Sequence, residues 1–157
     1  MISRIFILLF IAVTCTCCNS DDAADVLERE LKANRQLWES SQVKNYSWNE
    51  RLSCFCGGIL ERDIFVVNAV KDRVEYDDSN VSPQVDRDEL YASIFNQSKT
   101  VDEAFDFIES LLNQDVASLL IEYDVVHGFP KLISIDYIEN AIDDEIGYIY
   151  TDFNVEN

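Results

Sequence analysis

The sequence predicts an α+β fold: an antiparallel sheet with helices packed on it, in the order α-β-β-β-α-β-β-β. Apolar residues recur with helical spacing in two long stretches and with period two in the stretches that follow each of them. The period-two stretches come in runs broken only by short turns, so neighbours join as hairpins and the sheet is antiparallel. A length of 157 residues sets the size at one domain. With 48% hydrophobic and 27% charged residues the chain has the composition of a globular protein, which excludes wholesale disorder, collagen-like sequence and a multi-span membrane protein.

Residues 21–42 read as a helix with a polar lead-in. Leu27, Leu31 and Trp38 fall at i, i+4 and i+11, with Val26 and Leu37 beside them, so one apolar stripe faces inward. The period then changes. Over residues 44–56, Tyr46, Trp48, Leu52, Cys54 and Cys56 all occupy even positions, with Glu50 the single exception, as in a strand with a buried even face. Gly57-Gly58 turns the chain into a second strand over 59–70, and Lys71-Asp72 is expected to turn it again into a third over 73–76. The acidic, proline-containing segment 77–84 is a loop.

A short helix is expected over 85–96, where Leu90/Ile94 and Tyr91/Phe95 lie at i, i+4. Thr100 with Glu103 three residues later forms a capping box, which opens a helix whose inner face is Val101, Ala104, Phe105, Ile108, Leu111 and Leu112. Residues 117–126, 131–138 and 145–153 complete the sheet as three strands. His127-Gly128-Phe129-Pro130 joins the first two, and the acidic segment 139–144 joins the last two.

The N-terminus reads as an address. Arg4 is the only charged side chain before Asp21, and residues 5–13 are nine apolar residues in succession. Nine residues span about 14 Å at ~1.5 Å each, half of a bilayer's hydrocarbon core, so this is the core of a signal peptide and not a spanning helix. Cys15, Cys17 and Cys18 follow directly, then polar Asn19-Ser20-Asp21-Asp22. A cysteine in that place is the mark of a bacterial lipoprotein signal, in which the thiol is lipidated and becomes the new N-terminus. Small Thr16 and Cys17 precede Cys18 and the polar segment begins after it, so Cys18 is the expected lipidation site, ahead of Cys17 and then Cys15. The expected organisation is a signal peptide over 1–17, a lipidated cysteine and polar tether over 18–24, and a single domain over 25–157. The alternative at this point is an ordinary cleaved signal with incidental cysteines.

Charge limits the partners. Twelve basic against 30 acidic residues give −18, a surface that repels nucleic acid and anionic lipid. Such a body is not held on a membrane by charge; acyl chains, at ~0.8 kcal/mol per buried CH₂, would have to do it.

Cys54 and Cys56 are the most specific chemical feature beyond the signal. In an oxidising compartment paired cysteines become disulfides. Residues i and i+2 of a regular strand are ~6.6 Å apart with parallel side chains, so a bond needs a bend, which Gly57-Gly58 can supply. Three readings stay open: a structural pair, bonded or buried as small apolar groups; a thiol-active pair; and half of a soft-metal site. The even-face pattern places both sulfurs inside, where alkylation would be slow. His127 is the single histidine and sits in an expected turn, which makes it a solvated loop residue rather than a catalytic base. The acidic pairs Asp77-Asp78 and Asp143-Asp144 with Glu145 lack the alternating ligands and glycine of a calcium loop. No catalytic set, cofactor motif or metal-ligand spacing is read from the sequence.

Tyr46, Cys54-Phe55-Cys56, Tyr123-Asp124 before Gly128-Phe129-Pro130, and Asp136 before Asp143-Asp144-Glu145 resemble an uncharacterised family of small bacterial lipoproteins, a domain of unknown function with a Cys-x-Cys strand. The similarity spans residues 34–153, and the cysteine run in place of a clean lipobox is where this chain departs from it. The resemblance implies an envelope location and a fold, but no activity. The expectation is a lipid-anchored envelope protein with a non-catalytic domain that binds an envelope protein or a ligand; its rival is a thiol-active or metal-handling protein that uses Cys54 and Cys56.

Overall fold

The computed structural model describes residues 20–156. The expected signal peptide and Cys18 lie outside them. The elements are α1 (Ser20–Ser41), β1 (Tyr46–Cys54), β2 (Glu61–Val67), β3 (Val70–Glu75), α2 (Arg87–Gln97), α3 (Val101–Leu112), β4 (Ser118–Tyr123), β5 (Pro130–Asp136) and β6 (Ile146–Val155). The fold is α+β as the periodicities require, and α2 is the short helix expected before the capping box. The strands form one antiparallel sheet in the order β3-β2-β1-β6-β5-β4. Two three-strand meanders are thus sewn together by β1 and β6, paired from Tyr46↔Val155 to Cys54↔Ile146.

The helices cover one face of the sheet. In α3, Val101, Ala104, Phe105, Ile108 and Leu111 are all buried as the spacing predicts, and Leu112, the last of the expected stripe, is half-buried. The capping box closes as expected: the Thr100 hydroxyl accepts from the Glu103 amide at 3.1 Å, and Glu103 accepts from the Thr100 amide at 2.7 Å. The Tyr46 hydroxyl accepts from the Val101 amide at 2.8 Å, so a core tyrosine of β1 satisfies another free donor at the start of this helix. Helix α1 lies across α3 through Leu31 and Trp38, and the Trp38 indole donates to Asp102 at 3.0 Å. Beneath them runs a row of aromatic rings in which Trp48 stacks on Tyr150 at 4.1 Å and Phe129 on Phe153 at 4.3 Å. The uncovered face carries Arg51 and Ser53 of β1 and Leu120 of β4, all exposed.

Three local expectations change. Helix α1 starts at Ser20, so residues 20–24 of the expected tether begin the helix. The β2–β3 turn falls at Asn68-Ala69, and Lys71-Asp72 lie within β3. Both turn residues have positive φ, 53° and 62°, the twist that a two-residue hairpin demands. Alanine is a poor residue for that position, and the turn is held from outside: Asn68 donates to the Asn45 side chain and Ala69 to the Lys44 carbonyl, both at 2.8 Å. Strand β1 ends at Cys54, two residues earlier than its alternation suggests.

Candidate functional site

The end of β1 places the cysteines differently from the alternation. Cys54 is half-buried, whereas Cys56 is exposed and Phe55 between them is 84% exposed. The two are joined as a disulfide with Cα atoms 5.2 Å apart, shorter than the i, i+2 spacing of a regular strand. Once the chain leaves the sheet at Cys54, alternation no longer sends Cys56 inward, and Gly58 continues the bend at φ +106°. The expectation that both sulfurs lie on the buried face is therefore corrected: they form a solvent-facing loop tip beside the β5–β6 connection.

The exception on the even face of β1 marks the second feature. Glu50 is fully buried, and so is Arg62 opposite it on β2. Arg62 Nε donates to Glu50 Oε1 at 2.6 Å, and Arg62 Nη2 bonds to the same oxygen. Tyr150 of β6 faces Glu50 from the other side. Burial first, and then the Glu50 charge, hold its hydroxyl well above the ordinary tyrosine range. Glu50 Oε2, Tyr150 Oη and Trp48 Nε1 are buried without a hydrogen-bond partner among the described residues. Sequence reasoning noted Glu50 but not its partner. The available signal was two opposite charges on otherwise apolar faces of strands that one hairpin folds together.

Arg62 lines a cleft of about 330 Å³ between the paired central strands, at Leu52 of β1 and Tyr148 of β6, and the α2–α3 junction, at Ser98 and Lys99. The Lys99 ammonium lies 4.5 Å from the centre of the Tyr148 ring and 4.7 Å from that of Phe107, and donates to the Gln97 carbonyl at 3.3 Å. Burial lowers its pKa, while the Glu50 charge opposes that shift. Lys71 stands behind the junction, donating to the carbonyls of Phe95 and Ser98 and pairing with Glu103 at 3.2 Å. It thereby supplies the cation that the last turn of α2 lacks. Burial raises the Glu103 pKa, but hydrogen bonds from Thr100 and the Lys71 charge outweigh it and leave the group below its usual value. A larger groove of about 420 Å³ runs between α1 and α3, but its arginine, Arg35, is already engaged by Asp106 and Glu109.

The remaining candidates resolve into architecture. His127 is packed, not free in solvent: its ring lies 5.4 Å from that of Phe153, and Nδ1 is 3.4 Å from Asp124. Asp124 accepts from the amides of Val126 and His127 at 3.0 and 2.7 Å, and so shapes the β4–β5 turn. Asp77 accepts from the Ser79 amide, Asp78 pairs with Arg87 at 2.7 Å, and Asp144 accepts from the Ile138 amide at 2.7 Å. Each of these carboxylates organises a loop. Among the described residues, no three His, Cys, Asp or Glu side chains gather where they could hold a metal ion.

Residues 30–155 match a family of unknown function, DUF6174, and the chain belongs to that family. The match takes in every strand, the cysteine tip and the cleft. Comparison with curated proteins and with solved structures gives no match.

Proposed function

We propose that this DUF6174 protein is a lipid-anchored component of a bacterial cell envelope, whose α+β domain binds an envelope protein or a ligand without catalysing a reaction. The observation that supports the anchor is the position of α1. It starts at Ser20, two residues after Cys18, and packs through Leu31 and Trp38 onto the body of the domain. Acyl chains on Cys18 would join the domain through the segment that runs into α1, a helix of 22 residues. No helix among the described residues is long and apolar enough to cross a membrane. Metabolic labelling with a fatty-acid analogue should mark the protein, and Cys18→Ser should abolish the label. Retention of the label in Cys18→Ser with its loss in Cys17→Ser would move the site by one residue; a label untouched by any cysteine change would end the anchor reading.

The exposure of Cys56 favours a second reading, in which the pair exchanges electrons with a partner. After mild reduction Cys56 should alkylate in the folded protein, because no packing shields it. Under the binding reading, Cys54→Ala with Cys56→Ala still folds and complements a deletion, since a bond across one residue constrains the unfolded chain only weakly. Lost complementation at normal abundance would promote the thiol-active reading.

A further inference from the structure

We propose that the cleft at the α2–α3 junction is a binding site for a singly charged carboxylate carrying a compact apolar body. This rests on reading the domain as a binding module, and it names what that module takes. In a chain with 30 acidic residues, three of the 12 basic ones stand at this junction, Arg62 and Lys99 lining the cleft and Lys71 behind it against Glu103. Two carboxylates, Glu50 and Glu103, accompany them. The local balance is one positive charge. Lys71 is engaged by Glu103 and two carbonyls. Lys99 has no carboxylate within salt-bridge distance among the described residues, and two rings and a carbonyl hold it in place. Arg62 lines the cleft and uses Nε and one N–H of Nη2 on one oxygen of Glu50, which leaves three of its five N–H donors outside that pair.

A carboxylate between Arg62 and Lys99 gains two charge-assisted hydrogen bonds in a partly dry site. A dianion is disfavoured, because the second charge meets Glu103 at the rim and the field of a protein carrying −18. The ring of Tyr148 and the side chain of Leu52, both half-buried, form a wall for an apolar body, and about 330 Å³ admits only a small one.

Titration of the mature protein with benzoate, acetate and inorganic phosphate, followed by amide NMR, tests the assignment. Benzoate should give saturable shifts at residues 96–99 and at Tyr148, binding more tightly than acetate and than phosphate at a pH where phosphate is a dianion. Lys99→Met keeps the packed stem and should weaken benzoate by at least about tenfold, the loss of one charge-assisted bond. Tyr148→Leu should narrow the gap between benzoate and acetate. Absence of saturable shifts at the cleft, benzoate binding unchanged in Lys99→Met, or tighter binding of phosphate would each overturn the proposal. None of these results alters lipid labelling at Cys18 or capture of a protein partner, which keeps failure of this site distinct from failure of the broader reading.

Discussion

Gly128→Ala should destabilise the domain by about 2–5 kcal/mol, the sum of a left-handed backbone penalty of roughly 1–2 and an overpacking cost of roughly 1–3. Gly128 has φ +80° in the β4–β5 turn, and a Cβ placed there would lie 2.4 Å from the backbone oxygen of Asn34 and 3.0 Å from Cβ of Leu37. Both atoms belong to α1, so the glycine is where the sheet lets the long helix approach. Relief would require moving α1 or reshaping a turn whose amides Asp124 already holds. Urea unfolding of Gly128→Ala beside Gly57→Ala checks this. Gly57 has no neighbour within 4 Å of a built Cβ, and its substitution should fall within about 0.5 kcal/mol of the wild type. Equal midpoints for the two variants would mean that the turn does not bear against the helix.

Removing one member of the Glu50–Arg62 pair should cost about 3–5 kcal/mol, a large share of the 5–15 kcal/mol that holds a typical domain together. The cost is not the value of the pair itself. Glu50→Ala leaves the Arg62 guanidinium desolvated at 2% side-chain exposure with no carboxylate opposite it, and Arg62→Ala does the same to Glu50. Replacing both, with Glu50→Leu and Arg62→Met, removes both charges and keeps the volume. The double variant should therefore be more stable than either single truncation. Additive losses in the cycle formed by Glu50→Leu, Arg62→Met and the double variant would show that the two groups do not depend on each other. Because Arg62 also lines the cleft, the stable double variant should lose benzoate binding with its fold intact, which separates the architectural role of the pair from its role in the site.

Features that depend on neighbours along the chain could be read from it. The capping box at Thr100 and Glu103 needs only four consecutive residues, and the buried stripe of α3 needs only helical spacing. The β4–β5 turn was legible in part: its glycine was read, but the connection was expected over 127–130, whereas β4 ends at Tyr123 and Asp124 already holds the turn's amides. The β2–β3 turn was not legible, because Asn68-Ala69 is stabilised by Lys44 and Asn45, more than twenty residues away in sequence. Its position moved once the register Val67↔Val70 was set.

The cysteine pair shows the same division. Alternation correctly puts the even face of β1 inside from Tyr46 to Glu50, but alternation holds only while the strand lasts, and the partner strand decides where it ends. By itself, the sequence determined the fold class, the helix cap at Thr100, the Cys-x-Cys segment at the close of a strand, and a net charge of −18. The tertiary structure alone decided that Glu50 meets Arg62, that Cys56 faces solvent, and that Lys99 stands over two rings at the mouth of a cleft. Periodicity reports which face a residue occupies, whereas these three facts depend on which residue lies opposite, and that is set by pairing between segments that sequence order keeps apart.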